Sequence, residues 1–333
     1  MPPRSILLIG EIAHCEDEWK KLSSRATLKE YRTGNREEFI ANCTSGEYDD
    51  VVAIYRSNAS TPVTGPFNAE LLSVLPKSLK FICHNGAGYD NIDVKACSEK
   101  GILVSSTPIA VNHATADVAI FLMIGALRQM HIPLTSIRSG AWQGNMTLGR
   151  DPKGKVLGIL GMGGIGQEVA IRAQAFGMKV IYHNRRRLSP EPKGTKYVSF
   201  DELLAQSDVL SLNLSLYPET KHIINENGFK KMKDGVVIVN TARGGLMDEK
   251  ALVAALASGK VGSVGLDVYE NEPQVEQGLL DNPRVFLLPH IGTATRETQK
   301  EMEELVLDNV RSALDKGVLI TQVREQKNVA SRI

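Results

Sequence analysis

Polar side chains follow three apolar runs in the last third of the chain, and their types could together support a hydride transfer. The residues are Arg243, Asp267 with Glu272 shortly after it, and His290. Because ligands of an open α/β sheet bind at the carboxyl ends of its strands, we expect these side chains to share one rim. Reduction of a ketone needs a proton donor, and histidine is the side chain that titrates near neutral pH.

Each residue type has a place in the reduction of a 2-keto acid. A carboxylate stabilises a nearby imidazolium, and an arginine fork matches a substrate carboxylate. We therefore predict His290 as the acid, Glu272 as its orienting partner and Arg243 as the substrate anchor. His84 is a rival donor, because it adjoins a glycine loop. By position alone, Arg243 could be a loop cation, Glu272 could close a turn and Asp267 could cap a strand.

A dinucleotide cofactor is indicated by the run from Gly161 to Gly166, which reads GMGGIG between an apolar run and an amphipathic one. The spacing G-x-G-x-x-G at a strand–turn–helix junction is the dinucleotide fingerprint. We predict that Gly161 allows the tight turn, Gly163 the approach of a pyrophosphate and Gly166 the packing of helix on strand. The diphosphate would lie on the helix N-terminus. The alternative is a glycine-rich turn without a ligand.

The end of the next strand bears on the choice between NADPH and NADH. An NAD-binding unit usually carries Asp or Glu there, whereas this chain has Asn184 followed by Arg185, Arg186 and Arg187. Neutral Asn and neighbouring guanidiniums can hold a 2′-phosphate by charge-assisted hydrogen bonds. The pattern predicts NADPH as the preferred cofactor. The alternative is a solvated basic loop, and NADH then remains possible.

The rest of the chain alternates short apolar runs with amphipathic ones, which is typical of parallel α/β sheets. Residues 155–290 predict a six- or seven-stranded doubly wound sheet, preceded by a long apolar helix, Asn112–Met130. We expect an α/β protein with two Rossmann-like doubly wound domains. A flavodoxin-like substrate domain would comprise 1–106 and 294–333, and an NAD(P)-binding domain 107–293. We also expect Asp201 to be the N-cap of a helix within the second domain.

The amino-acid composition indicates which binding partners and which cellular compartment to expect. The 333 residues carry 39 Lys and Arg against 38 Asp and Glu, so a net charge of +1 gives no reason to expect nucleic acid or a membrane surface. The four cysteines lack C-x-x-C spacing and indicate reduced thiols, with no metal site. No signal peptide is recognisable, so we expect a cytoplasmic protein. Ser331-Arg332-Ile333 is a variant of the peroxisomal S-K-L signal, which makes peroxisomal import an alternative.

The chain resembles the D-isomer-specific 2-hydroxyacid dehydrogenases over essentially its whole length. Several motifs carry the resemblance, in the right order: Asn85–Asp93, Gly158–Gly166, Asn240–Gly245, Gly265–Pro273 and Pro289–Thr295. Within that family it is most similar to the glyoxylate/hydroxypyruvate reductase branch, because of Thr115-Ala116-Asp117, Asn184-Arg185 and the run HIGTAT.

The resemblance implies a set of site residues and an assembly. Arg243, Glu272 and His290 match the catalytic Arg, Glu and His of the family. Homodimers would form through the cofactor domains, with the helix Asn112–Met130 in the interface. The implied substrate residues are Asn85, Gly86, Ala87, Gly88, Arg243 and His290, and the predicted cofactor residues are Thr115, Gly161, Gly163, Gly164, Ile165, Gly166, Asn184, Arg185, Arg186, Thr241, Ala242, Asp267 and Gly292.

The predicted function is NADPH-dependent reduction of glyoxylate, hydroxypyruvate or a related 2-keto acid to the D-2-hydroxy acid. Two alternatives stay open. One is a D-2-hydroxyacid dehydrogenase for bulkier keto acids. For either size of substrate, Tyr55-Arg56-Ser57, Trp142 and Met146 could line the side-chain pocket. The other is a nucleotide-sensing interaction protein like the transcriptional corepressors of the same fold, which a turnover assay would distinguish from an enzyme.

Overall fold

The computed structural model describes residues 4–327, which divide into two compact units. The first unit contains the described residues up to Val111 and those from Thr295 onward, and the second is Asn112–Ala294. These divisions fall within a few residues of the boundaries expected after residues 106 and 293. Which unit holds substrate and which holds cofactor stays a prediction.

Strands and helices alternate along the described chain. The strands are β1 Ser5–Ile9, β2 Thr27–Tyr31, β3 Val51–Ser57, β4 Phe81–Asn85, β5 Leu103–Ser105, β6 Val156–Leu160, β7 Lys179–His183, β8 Thr195–Tyr197, β9 Val209–Leu212, β10 Val236–Asn240, β11 Val261–Leu266 and β12 Val285–Leu287. The α-helices are α1 Glu16–Lys21, α2 Arg36–Thr44, α3 Thr61–Thr64, α4 Ala69–Val74, α5 Val94–Glu99, α6 Asn112–Arg128, α7 His131–Arg138, α8 Gly164–Ala175, α9 Phe200–Gln206, α10 Glu226–Lys231, α11 Glu249–Ala257, α12 Gln277–Leu280 and α13 Arg296–Lys316. Short 3₁₀ turns include Gly244–Leu246.

The first unit is built on a parallel five-stranded sheet with the order β2-β1-β3-β4-β5. This is the flavodoxin-like order. Alternate residues of β1 enter two separate buried clusters, one containing Leu7 and Ile9 and the other Ile6 and Leu8. Burial of both faces explains why its strands read as continuous apolar runs. Helix α13 packs in the second cluster, so the end of the chain completes this unit.

The second unit contains a parallel seven-stranded sheet with the order β12-β11-β10-β9-β6-β7-β8. The order reverses between β6 and β9, as in the dinucleotide-binding fold. Residues of α6 and α8 cover one face, and residues of α9, α10 and α11 cover the other. Both the fold class and the predicted doubly wound sheet are therefore confirmed.

The long helix expected over roughly 112–130 is α6. It ends at Arg128 because Gln129 adopts a left-handed φ of +49°, and the unpredicted helix α7 follows at 77° to it. Pro133 favours this break, since a proline is tolerated in the first turn of a new helix but not inside a continuing one. The prediction of Asp201 as a helix N-cap was wrong, because the N-cap of α9 is Ser199, which forms a capping box with Glu202.

All four cysteines are buried and free, as predicted. Residues 4–327 contain no group of three or more His, Cys, Asp or Glu side chains that could hold a metal ion. In the same residues no single helix is long and apolar enough to cross a membrane; the pair α6–α7 reaches that length and composition only with its sharp bend. Ser331-Arg332-Ile333, on which the prediction of peroxisomal import depends, lies outside the described residues.

Candidate active site

The three predicted catalytic residues follow three adjacent strands of the second sheet. Arg243 comes after β10, Glu272 after β11 and His290 after β12. These strands are neighbours in the sheet and all parallel, so their carboxyl ends meet at one edge. This edge is where ligands of open α/β sheets bind.

His290 and Glu272 form a hydrogen-bonded pair. Nδ1 of His290 lies 2.7 Å from Oε2 of Glu272, and both side chains remain about one-third exposed (38% and 35%). Burial alone would raise the pKa of Glu272, but the hydrogen bonds from His290 and from the N–H of Tyr269 (2.9 Å), with the charge of Arg243, leave that pKa below its ordinary value. Glu272 is therefore a carboxylate that accepts from Nδ1–H, which leaves Nε2 of His290 for a reaction partner.

The turn that carries Arg243 is shaped by the buried side chain of Asn240. Its Oδ1 accepts from the N–H of Ala242 (3.0 Å), and its Nδ2 donates to the carbonyl of Arg243 (2.8 Å). Gly244 follows, and a Cβ there would overlap the backbone of Tyr269. The loop after β10 and the loop after β11 are therefore in direct backbone contact, which only glycine permits.

Asp267 fixes the chain just after His290. Its two carboxylate oxygens accept from the N–H groups of Ile291 and Gly292, both at 2.8 Å. Burial raises the pKa of Asp267 in spite of these bonds. A Cβ on Gly292 would lie 3.1 Å from Asp267 and 3.4 Å from Thr115. The structure thus brings together three residues predicted to contact the cofactor.

The glycine turn between β6 and α8 has the geometry that a pyrophosphate needs. Gly161 has φ +100°, and a Cβ there would lie 2.7 Å from the carbonyl oxygen of Asn213. A Cβ on Gly166 would overlap the carbonyl of Gly161, so helix and turn could not approach so closely with any side chain. Gly163 is the exposed N-cap of α8 and has open space around it. Gly164 and Ile165 form the first turn of that helix.

A buried acceptor beside this turn supports a bound dinucleotide. Oδ1 of Asn213, which follows β9, has no hydrogen-bond partner among the described residues, while its Nδ2 donates to Ser211 at 3.0 Å. A buried polar atom usually has a partner, so an unsatisfied one at a ligand edge indicates a missing ligand group. Thr241 and Ala242 directly follow β10, the next strand of the sheet, at the same edge. The residues present therefore fit a dinucleotide.

Asn184 is tied to the glycine turn. Its Oδ1 accepts from the N–H of Met162 at 2.7 Å, so the amide group is turned toward the site of the predicted ribose. Arg185 and Arg186 are exposed and make no ion pair within residues 4–327, whereas Arg187 binds Glu191 through two bonds of 2.9 and 3.1 Å. Of the three arginines, Arg185 and Arg186 are the ones available to a 2′-phosphate.

The predicted substrate loop, Asn85–Gly88, belongs to the first unit, and His84 supports it. Nε2 of His84 lies 3.1 Å from the carbonyl of Gly88, and Nδ1 lies 3.1 Å from a guanidinium nitrogen of Arg56. Because the carbonyl can only accept, Nε2 carries the proton and Nδ1 accepts from Arg56. A side chain on Gly86 would collide with the His84 ring. His84 is fully buried with both ring nitrogens bonded, which suits a structural role better than proton donation.

The side chains considered for substrate specificity differ in exposure. Tyr55 and Arg56 are completely buried, and burial lowers the pKa of Arg56 to about 10. Its guanidinium lies over the ring of Phe67, 4.9 Å from the centroid. Trp142 is 71% exposed, and Met146 is also exposed. A direct contact of Arg56 with substrate is therefore not supported.

One further histidine–glutamate pair was not predicted from the sequence. Nε2 of His222 lies 2.6 Å from Oε1 of Glu270, which is on the same loop as Glu272. His222 does not follow a strand, and the two residues are 48 positions apart, so no local pattern relates them. Only their spatial proximity reveals the pair.

A dinucleotide-type sheet with an arginine and a histidine–glutamate pair on its rim defines an oxidoreductase that acts on CH–OH groups. The profile of the family described as D-isomer specific 2-hydroxyacid dehydrogenase, NAD binding domain, matches residues 120–292. The chain belongs to the D-isomer-specific 2-hydroxyacid dehydrogenase family.

Relatives of this chain cover nearly its whole length. It is 73% identical to 4-methyl-2-oxopentanoate reductase A of Aspergillus oryzae over 98% of this chain and 99% of that protein. A crystal structure of a glyoxylate reductase from Paecilomyes thermophila is 71% identical, with a TM-score of 0.97, covering 98% of this chain and 100% of that one. An NADPH-dependent glyoxylate/hydroxypyruvate reductase from Sinorhizobium meliloti, solved with NADP and malonate, is 30% identical with a TM-score of 0.85, covering 97% of each chain.

Proposed function

We propose that this protein uses NADPH to reduce a 2-keto acid to the D-2-hydroxy acid, with His290 as proton donor. The observation that carries the proposal is the 2.7 Å pair of His290 and Glu272 at the sheet edge that also bears Arg243. Candidate substrates are glyoxylate and hydroxypyruvate, together with the branched acid 4-methyl-2-oxopentanoate. The names of the similar reductases support all three.

The residues of this chain would act in a definite order. Arg243 binds the substrate carboxylate through its guanidinium fork. When bound, the nicotinamide would supply the hydride that the carbonyl carbon accepts. His290 then gives its proton, through Nε2, to the developing alkoxide, while Glu272 stabilises the imidazolium through Nδ1. In the reverse direction neutral His290 accepts the proton from the hydroxyl group.

Initial rates with NADPH and NADH, measured side by side on the three keto acids, test this function. We expect oxidation of NADPH with at least one acid and a slower rate with NADH. No turnover with any acid would overturn the proposal and favour a nucleotide-sensing protein. A higher kcat/KM with 4-methyl-2-oxopentanoate than with glyoxylate would assign the side-chain preference to branched acids.

The cofactor preference can be tested by replacing the residues after β7. In Asn184→Asp the new carboxylate can still accept from the N–H of Met162 but would repel a 2′-phosphate. We expect kcat/KM for NADPH to fall by about 10- to 100-fold, as for the loss of a hydrogen bond to a charged group, with little change for NADH. Arg185→Ala with Arg186→Ala should act in the same direction.

The matched control for these variants is Arg187→Ala, because Arg187 is already paired with Glu191. Its preference for NADPH should stay close to that of the unaltered protein. If all of the arginine variants lost kcat/KM for NADPH by the same factor, the preference would depend on the overall charge of the basic loop and not on particular arginines. An unaltered preference in Asn184→Asp would contradict the assignment of Asn184 to the 2′-phosphate.

We also propose a homodimer formed through the second unit. Large apolar side chains on α6, α7 and the segment after them are exposed, namely Phe121, Leu134, Ile137, Trp142 and Leu148. Exposed apolar surface of this extent commonly marks a protein–protein contact. Light scattering of the purified protein should give twice the mass of the chain, and a monomer at micromolar concentration would contradict the proposal.

A further inference from the structure

His222 contacts both loops of the candidate active site. Its N–H donates to the carbonyl of Gly245, two residues after Arg243, at 2.8 Å. Its Nε2 lies 2.6 Å from Oε1 of Glu270, two residues before Glu272. The backbone of His222 has φ +51°, a left-handed conformation that is uncommon outside glycine and often marks a functional constraint. One residue thus joins the loop after β10 by its backbone and the loop after β11 by its side chain.

The loop after β11 carries two carboxylates, those of Glu270 and Glu272, close to the buried Glu249. Oε1 of the buried Glu249 accepts from the N–H of Glu270 at 2.8 Å. Burial raises the pKa of Glu249, and the charges of Glu270 and Glu272 raise it further. Like charges so close to each other repel. His222 supplies Glu270 with a hydrogen-bond donor, as His290 does for Glu272.

The fit between the two loops leaves little room for a compensating movement. Gly244 packs directly on the backbone of Tyr269 and Glu270. The N–H of Tyr269 in turn holds Oε1 of Glu272, at 2.9 Å. Displacement of Glu270 would therefore displace the Tyr269 backbone and, with it, the carboxylate that orients His290. A misplacement of about 1 Å in a catalytic arrangement can lower a rate by about 100-fold.

We propose that His222 and Glu270 are positioning residues that keep Glu272 in hydrogen-bonding reach of His290. This inference rests on the catalytic role proposed above for Glu272 and His290. His222 and Glu270 themselves take no part in proton transfer. They affect turnover only by holding the carboxylate of Glu272 in place. A general contribution to stability would instead act whether or not that carboxylate is present.

A double-mutant cycle between His222→Ala and Glu272→Gln tests this dependence. In the otherwise unaltered protein, His222→Ala should lower kcat by about 10-fold and leave the Kd for NADPH within about twofold. In the Glu272→Gln background the same change should lower kcat by less than about twofold, because the carboxylate that it positions is already absent. If His222→Ala lowers kcat by the same factor in both backgrounds, His222 has a purely structural role and the proposal is overturned.

A conservative variant, a second disruptive variant and a control complete the experiment. His222→Gln keeps an N–H donor for Glu270 and should restore most of the lost kcat. Glu270→Ala removes the oxygen that accepts from Nε2 of His222, so it repeats the cycle if His222→Ala does not fold. Lys231→Ala, which removes a 2.7 Å ion pair with Asp201 between α9 and α10, should leave kcat unchanged.

The outcomes separate this proposal from the proposed function. If Glu272→Gln keeps the full kcat, the catalytic role of Glu272 is wrong, and the positioning role is overturned with it. If Glu272→Gln is impaired while both His222→Ala and Glu270→Ala keep the full kcat, only the positioning role is overturned and the proposed function stands.

Discussion

Replacement of His290 by alanine is expected to lower kcat for keto-acid reduction by about 10²- to 10⁴-fold, the usual contribution of a general acid. Glu272 holds Nδ1 at 2.7 Å and leaves Nε2 for the substrate oxygen, so no other group in this pair can deliver the proton. The Kd for NADPH, measured by nucleotide fluorescence, should change little. His14→Ala, which removes an exposed histidine of the first unit, is the control. Near-normal turnover of His290→Ala would refute the role.

The pH dependence follows from the same pair. Keto-acid reduction should fall as pH rises, because the donor loses its proton, and hydroxy-acid oxidation should rise. On the acid side, burial alone would raise the pKa of Glu272, but the hydrogen bonds from His290 and Tyr269 outweigh it and leave that pKa below its ordinary value. Glu272 thus stays ionised where an ordinary glutamate begins to take up a proton, and its protonation should not limit the rate near neutral pH. A reduction rate that does not vary between about pH 6 and 9 would contradict the assignment.

Replacement of Arg243 by alanine is expected to lower kcat/KM for the keto acid by about 30- to 5,000-fold. The estimate corresponds to about 2–5 kcal/mol for the loss of one member of a buried charge pair, here the pair with the substrate carboxylate. Arg243→Lys should recover only part of the loss, because an ammonium keeps the charge without the two-pronged fork. Steady-state kinetics with each keto acid gives the comparison.

A substrate analogue without a charge tests whether Arg243 acts on the carboxylate. With the amide of the same keto acid, Arg243→Ala should lose much less kcat/KM relative to the unaltered protein. The charge of Arg243 also lowers the pKa of Glu272, so the acid limb of the pH profile should move to higher pH in this variant. Equal losses with acid and amide would show that Arg243 supports the loop rather than the substrate.

Much of this protein follows from local sequence rules. Alternation of apolar strands with amphipathic helices predicted two doubly wound α/β units, because strands buried on both faces must be apolar throughout. The spacing of Gly161, Gly163 and Gly166 located the tight turn between β6 and α8, since a positive φ and close backbone contacts are properties of single positions. The polar residues that follow the late strands led to the prediction of Arg243, Glu272 and His290 as catalytic, because parallel strands place their carboxyl ends at one edge.

The tertiary structure decided what no local pattern contains. The order β12-β11-β10 makes the three catalytic candidates neighbours, and a sequence does not state strand order. The hydrogen bond from Met162 to Asn184 and the pair of His222 with Glu270 each depend on the position of another segment. Such features arise from contacts between residues far apart in the chain, whose energies are set by distance in space. Periodicity and spacing report only on neighbours along the chain, so these contacts became visible only in the folded protein.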